Sequence, residues 1–343
     1  MKRQAIFFTA PHQVEIREEP LPAGGPGQVL IRSLLSAISP GTELLIYRGQ
    51  APANMAADAT IPDLAGALAY PLKYGYSLVG EVIDVAGEEH RDWMGKRVFA
   101  FHPHESHFWA DPETLHPLPP DARLEDAVFL PNMETAINFL HDGAPILGEQ
   151  AVVFGQGVVG LLTTALLART PLAQLITLDR HPLRRELSLA WGADASLDPA
   201  LPDIAQQLAS RLRLHDPTGR ADLSFELSGA PAALQQAIDI TGFAGRIVIG
   251  SWYGDKTAPL HLGGDFHRSR IRLISSQVST LAPALTGRWT KARRLQTAWE
   301  WLAQLHPADL ITETLPFSQA PRAYALLDQH PERFLQIVLR YED

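Results

Sequence analysis

Three glycines, at positions 155, 157 and 160, stand between two apolar runs, Gln150-Ala-Val-Val-Phe154 and Leu161-Leu-Thr-Thr-Ala-Leu-Leu-Ala168. This order suits a strand that turns sharply into a helix. The first glycine makes the turn, the second lets the backbone approach a pyrophosphate, and the third lets helix and strand pack closely. Gln156, Val158 and Val159 complete the loop, and the N–H groups at the start of the helix are left to meet an anion. The next apolar run, 174–178, ends at Asp179, 24 residues after Gly155. An acid at about that distance accepts hydrogen bonds from an adenosine ribose. The combination predicts a bound nicotinamide dinucleotide; the alternative is a cofactor-free relic of the same fold. Asp179 would repel a 2′-phosphate, which favours NAD. Arg180 beside it suits the NADP alternative, or else a solvated or adenine-stacking role.

The elements that position these residues alternate. Strand candidates lie at 151–154, 175–178, 195–197, 223–227, 246–249 and 272–276, with helical stretches at 182–191, 204–212 and 231–241 between them. That is the cadence of a complete doubly wound parallel sheet. The first 125 residues instead show short alternating runs (5–8, 14–17, 28–33, 78–86, 97–101) broken by Pro and Gly, the pattern of a partly open β-barrel. An Ala/Pro-rich segment, 50–71, reads as a surface loop over the site or as a tolerated insertion. An amphipathic helix at 289–305, a strand at 310–317, a helix at 319–328 and a strand at 334–341 follow. This tail has too little core to stand alone, so it is expected to fold back onto the first domain. The expected division is 1–127 with 278–343, and 128–277.

The chain has 343 residues, 46% hydrophobic and 20% charged, enough for two real cores. A net charge of −9 with no extended basic block argues against nucleic acid or an acidic membrane surface as partner. No stretch approaches the length of a membrane-spanning helix, and a cytoplasmic protein is expected. The absence of cysteine rules out disulfides, thiolate nucleophiles and Cys-ligated metals.

Several segments, in this order, resemble the medium-chain dehydrogenase/reductase superfamily, the zinc alcohol dehydrogenases and their zinc-free relatives. They are Gly27-Gln-Val-Leu-Ile-Arg32, Pro40-Gly-Thr42-Glu43, Tyr74-Gly75-Tyr76-Ser77-Leu-Val-Gly80-Glu81-Val82, Gly95-Lys-Arg97-Val98, the glycine fingerprint, Gly245-Arg-Ile-Val-Ile-Gly250, Leu310-Ile-Thr312 and Leu315-Pro-Phe317. Within it, the segment Ile38-Ser-Pro-Gly-Thr-Glu-Leu-Leu-Ile-Tyr-Arg-Gly49 looks more like the bacteriochlorophyllide a dehydrogenase branch. The resemblance implies a Rossmann domain inserted in a GroES-like partly open β-barrel domain. It also implies a homodimer paired through the sixth Rossmann strand. Thr135 is similar to a cofactor-contacting threonine of the family. Gly250 and Ser251 end the fifth strand, where the family's backbone approaches the nicotinamide, and Ser228 after the fourth strand completes the candidate cofactor set.

The departures concern zinc. Where the family's catalytic metal takes a Cys, a His and a Cys or Glu, this chain has Ser39, Tyr76 and Pro131, and no structural zinc lobe is possible without cysteine. No metal is therefore expected. The one substitute set would be His102 and His104 on one face of a strand, with Glu43 or Glu134.

Without a Lewis acid, hydrogen-bond donors must hold the substrate oxygen as charge develops on it. Thr42 occupies the family's substrate-touching position, or simply caps the helix starting near Glu43. Tyr76 replaces the metal-binding histidine, or fills its volume. His104 is the leading proton shuttle, since imidazole as a side-chain type titrates near neutrality, with His102 and His107 as alternatives. Glu134 is the candidate for orienting substrate. Trp252 and Tyr253 suggest an aromatic pocket wall or packing, and Arg288, Lys291 and Arg294 suit an anionic substrate or a solvated helix face. The resemblance implies zinc-independent, NAD-linked interconversion of a secondary alcohol and a carbonyl. The alternatives are a zinc-free quinone or enoyl reductase, or a dinucleotide-binding protein without catalysis.

Overall fold

A computed structural model describes residues 1–52, 64 and 66–342. Most of segment 50–71, read above as a loop over the site, lies outside the described residues. The first strands are β1 (Lys2–Ala10), β2 (Gln13–Pro20), β3 (Val29–Ala37), β4 (Leu78–Val85), β5 (Arg97–Ala100), β6 (His107–Ala110) and β7 (Leu115–Pro117). Helices α1 (Glu43–Tyr47), α2 (Leu124–Ala127) and α3 (Leu130–Gly143) accompany and follow them. The alternation then runs β8 (Gln150–Phe154), α4 (Val158–Leu167), β9 (Gln174–Leu178), α5 (Pro182–Ala190), β10 (Ala195–Leu197), α6 (Ile204–Leu212), β11 (Ala221–Glu226), α7 (Pro231–Ile240), β12 (Thr241–Ile249) and β13 (Arg272–Ser275). Helix α8 (Lys291–Leu305), β14 (Ile311–Pro316), α9 (Ala320–Gln329) and β15 (Gln336–Arg340) end the chain.

Two compact units result, residues 1–131 with 299–343, and residues 132–298. In the second, a six-stranded sheet has the order β10-β9-β8-β11-β12-β13, all parallel. This is the Rossmann order, reversing between β8 and β11. Every residue of β8 and β9 is buried, because helices cover both faces of such a sheet and its strands read as unbroken apolar runs. Val152, Phe154, Ile176 and Leu178 pack on one face, Ala151, Val153, Leu175 and Phe225 on the other. Burying each large side chain contributes about 1.5–3 kcal/mol.

The first unit holds the GroES-like sheet, ordered β14-β15-β3-β4-β5-β7, beside the hairpin β1-β2. Strand β3 shares one edge between two partners: Val29–Arg32 pair with β6, and Leu35–Ala37 with β15. Through the pairing of β15 with β3 this unit takes in residues 299–343, while 278–298, grouped above with that tail, fall in the second unit.

Candidate functional site

The turn from β8 to α4 depends on two glycines. Gly155 has φ +92°, a conformation that side chains rarely adopt, and a Cβ there would sit 2.7 Å from the Ser228 backbone. A Cβ on Gly160 would sit 2.1 Å from the Gly155 carbonyl oxygen. Gly157 is the residue just before α4, so the first N–H groups of that helix open where an anion would lie. Gln156 is fully buried and turned inward: its amide donates to Asp179 Oδ2 (2.7 Å), its Nε2 to Gly155 O (3.0 Å), and its Oε1 accepts from Thr164 (2.9 Å). Its side chain builds the loop. Val158 is buried and Val159 half-buried.

Asp179 takes a second backbone bond, from His181 N to Oδ1 (2.9 Å), so each oxygen has one committed lone pair and one remaining. Arg184 stands 4.0 Å from Oδ2, and burial lowers its pKa from the ordinary value against the pull of Asp179. Arg180 is exposed. Ser228, Gly250 and Ser251 lie at the carboxyl ends of β11 and β12, with Gly250 N donating to Glu226 O (3.1 Å). Thr135 is half-buried on α3. The cradle, the helix start and the acid fit a dinucleotide.

In the first unit, three hydroxyls gather. Tyr76 Oη donates to Ser39 Oγ (2.5 Å) and lies 3.4 Å from Thr42 Oγ1. Thr42 precedes α1, yet its side chain makes no capping bond. Beneath this group lies a buried polar chain. Glu43, wholly inaccessible to solvent, accepts from Ser39 N (2.8 Å), Tyr324 Oη (2.5 Å) and His104 Nε2 (3.1 Å). His104 Nδ1 meets Ser36 Oγ (2.8 Å), which meets Tyr341 Oη (3.1 Å). Burial, followed by the Glu43 charge, raises the Tyr324 phenol well above its ordinary pKa. Gly75, at φ +131°, runs so close to the His104 ring that a Cβ would sit 2.6 Å from it. Sequence reasoning picks out Tyr76, Thr42 and His104 but misses Ser36 and the two tyrosines Tyr324 and Tyr341, which lie far along the chain.

The substitute metal set does not form. His102 turns to Glu105 (3.4 Å) and stacks on Phe108, while His104 turns to Glu43. Residues 101–104 are not in a strand, so the shared face expected for the two histidines is absent. His107 sits on β6 against Ser106, its pKa lowered by burial. Among the described residues no group of three His, Cys, Asp or Glu is placed to hold a metal ion. A serine and a phenol bonded to each other, with a proline, do not fit a zinc ion.

In the second unit, Glu134 and Arg294 form a buried pair. Arg294 donates to Glu134 Oε1 (3.1 and 2.9 Å), Asn138 Oδ1 (2.5 Å), Thr280 O (3.0 Å) and Val278 O. Burial raises the Glu134 pKa although Arg294 opposes it. The solvated-face and anion-contact readings of Arg294 are both corrected: it has no exposed surface. All five of its guanidinium protons are directed to protein acceptors. His141 nearby packs on Trp289 (4.3 Å between centroids), and burial takes its pKa down to about 4. No helix among the described residues is long and apolar enough to cross a membrane.

A sequence profile of the family described as zinc-binding dehydrogenase matches residues 158–303. That span omits Ser39, Tyr76 and Pro131. The chain is 26% identical over 228 residues to the D-guloside 3-dehydrogenase of Escherichia coli K12, covering 65% of this chain and 63% of that enzyme, under two thirds of its length. It is 28% identical over 280 residues to the (R,R)-butanediol dehydrogenase of Bacillus subtilis 168, covering 73% and 78%. The fold is similar to the crystal structure of a short chain alcohol dehydrogenase of E. coli CFT073 complexed with NADH. The TM-score is 0.79 at 18% identity, over 99% of each chain.

Proposed function

We propose that this chain, which belongs to the medium-chain dehydrogenase/reductase superfamily, is an NAD-linked oxidoreductase. It would interconvert a secondary alcohol and a carbonyl without zinc. The observation that carries the reading is the unbroken constellation of β8, the glycine turn, α4, β9 and Asp179. The names of the relatives, a D-guloside 3-dehydrogenase and a butanediol dehydrogenase, support an alcohol as substrate. Asp179 favours NAD over NADP.

A nicotinamide dinucleotide, when bound, supplies or accepts the hydride. The protein's part is to hold the substrate oxygen and manage its proton. Tyr76 has one phenolic proton, given to Ser39 in this structure, and would redirect it to a substrate oxygen. Ser39 and Thr42 keep hydroxyl protons of their own to donate. Glu43 fixes the Ser39 backbone through Ser39 N and so holds in place the serine that Tyr76 meets. The test is turnover of NADH with a panel of carbonyls, enones and quinones. Carbonyl reduction supports the reading, enone or quinone reduction favours the C=C alternative, and binding without turnover favours an inactive protein.

Purified protein is expected to carry well below one zinc per chain, and chelators to leave activity and folding unchanged. Stoichiometric zinc by elemental analysis would defeat the zinc-free reading. A homodimer is also expected, because β13 is an edge strand whose outer backbone groups remain to be paired. A monomeric mass in light scattering at micromolar concentration would count against it.

A further inference from the structure

Glu226 is the last residue of β11 and has no exposed surface. Its Oε1 accepts from Ser228 N (2.8 Å), Ser228 Oγ (2.5 Å) and Gly229 N (3.1 Å), and its Oε2 from Tyr253 Oη (2.8 Å). Gly229 N also donates to Ser251 Oγ (2.8 Å), and Ser251 Oγ to the Glu226 carbonyl (3.3 Å). One carboxylate thus ties the turn after β11 to the segment after β12. Burial, with the Glu226 charge behind it, raises the Tyr253 pKa, so this phenol stays a donor.

The place of this knot gives it a role. The sheet order reverses between β8 and β11, and a dinucleotide lies across that point at the carboxyl ends of the strands. Asp179 assigns the adenosine half to the β9 side, so the other nucleotide falls on the side of β11 and β12. The turn held by Glu226 also runs close to the first fingerprint glycine, since a Gly155 Cβ would sit 2.7 Å from the Ser228 backbone. A buried charge contributes less to stability than an apolar residue of similar size, whereas acceptor-only oxygens set the direction of four donors at once.

We infer that Glu226 is a positioning residue that shapes the rim for the nicotinamide half of a bound dinucleotide, by clamping Ser228, Gly229 and Tyr253. The inference rests on the dinucleotide reading above. In Glu226→Gln one oxygen becomes an NH₂ that must face Tyr253 or the Ser228–Gly229 amides, which are donors.

NADH and 5′-AMP are titrated against the wild type, Glu226→Gln and Tyr253→Phe, with nicotinamide fluorescence as a second readout. NADH is expected to weaken about tenfold or more in Glu226→Gln, the loss of one charge-assisted bond. It is expected to weaken by about threefold to tenfold in Tyr253→Phe. AMP should change by less than about twofold in both, because its contacts lie on the β9 side. Parallel loss of NADH and AMP, or loss of neither, overturns the inference and leaves the dinucleotide reading standing. If Glu226→Gln does not fold, Tyr253→Phe decides by the same split. A wild type that binds NADH, NADPH and AMP all undetectably overturns the dinucleotide reading and the inference with it.

Discussion

Asp179→Asn is expected to weaken NAD roughly 10- to 100-fold, while NADP weakens less or improves. A charge-assisted hydrogen bond contributes about 1.5–3 kcal/mol, and each 1.4 kcal/mol is a factor of ten. Each Asp179 oxygen accepts one backbone N–H, from Gln156 and from His181, which leaves one lone pair on each for a ribose hydroxyl. Asparagine keeps a single acceptor oxygen, and its NH₂ must face one of the two amides. The substitution therefore removes the negative charge, one ribose acceptor and one anchor of the fingerprint loop together. A 2′-phosphate gains from the first change and is indifferent to the second, which separates the two cofactors. Fluorescence titration of both dinucleotides measures the split. A wild type that already prefers NADP would show the assignment of Asp179 to be wrong.

The signals of the glycine turn are local, so this part of the candidate site is legible in the sequence. The glycine turn, the helix start and the acid after β9 fall within one strand-helix-strand unit, and burial on both faces gives β8 and β9 their largely apolar runs. Strands β6 and β7 were not foreseen. His107-Phe-Trp-Ala110 and Leu115-His-Pro117 are too short to show alternation, and they form because β3 and β5 offer edges to pair with.

The buried polar groups were the least legible. Glu43 bonds a tyrosine 281 positions away, and Ser36 one 305 positions away. No periodicity carries such a pairing. Arg294 sits on an amphipathic helix and reads as surface; only the carbonyls of Val278 and Thr280 and the Glu134 carboxylate make its burial tolerable. Glu226 falls inside the run 223–227 and carries no local signal, since its donors come from two separate loops. Tyr76 and Thr42 were singled out by the resemblance. That their hydroxyls lie within 3.4 Å of each other is a fact of the fold.

That proximity defines the second large effect. Tyr76→Phe is expected to keep cofactor affinity and lower turnover by roughly 10²–10³-fold, the loss found when a principal oxyanion donor is removed. Phenylalanine preserves the ring and its edge contact with Tyr74, so the change isolates the hydroxyl. Thr42→Val is expected to lower turnover as well through loss of the proton path; since Thr42 makes no capping bond, α1 should not suffer. The double mutant should be less than additive, because both hydroxyls serve one step. Both substitutions lie in residues 1–131, whereas the fingerprint lies in 132–298, so unchanged dinucleotide binding reports that the protein is folded. His104 is a poor substitute for either, because both ring nitrogens are already taken by Glu43 and Ser36. Glu134 is likewise tied to Arg294. Near-wild-type turnover in both single mutants, on a confirmed substrate, would leave Tyr76 as a space-filler where the family holds its metal. The search for the group that polarises the substrate would then pass to Ser39, whose hydroxyl is the one member of the cluster still in place.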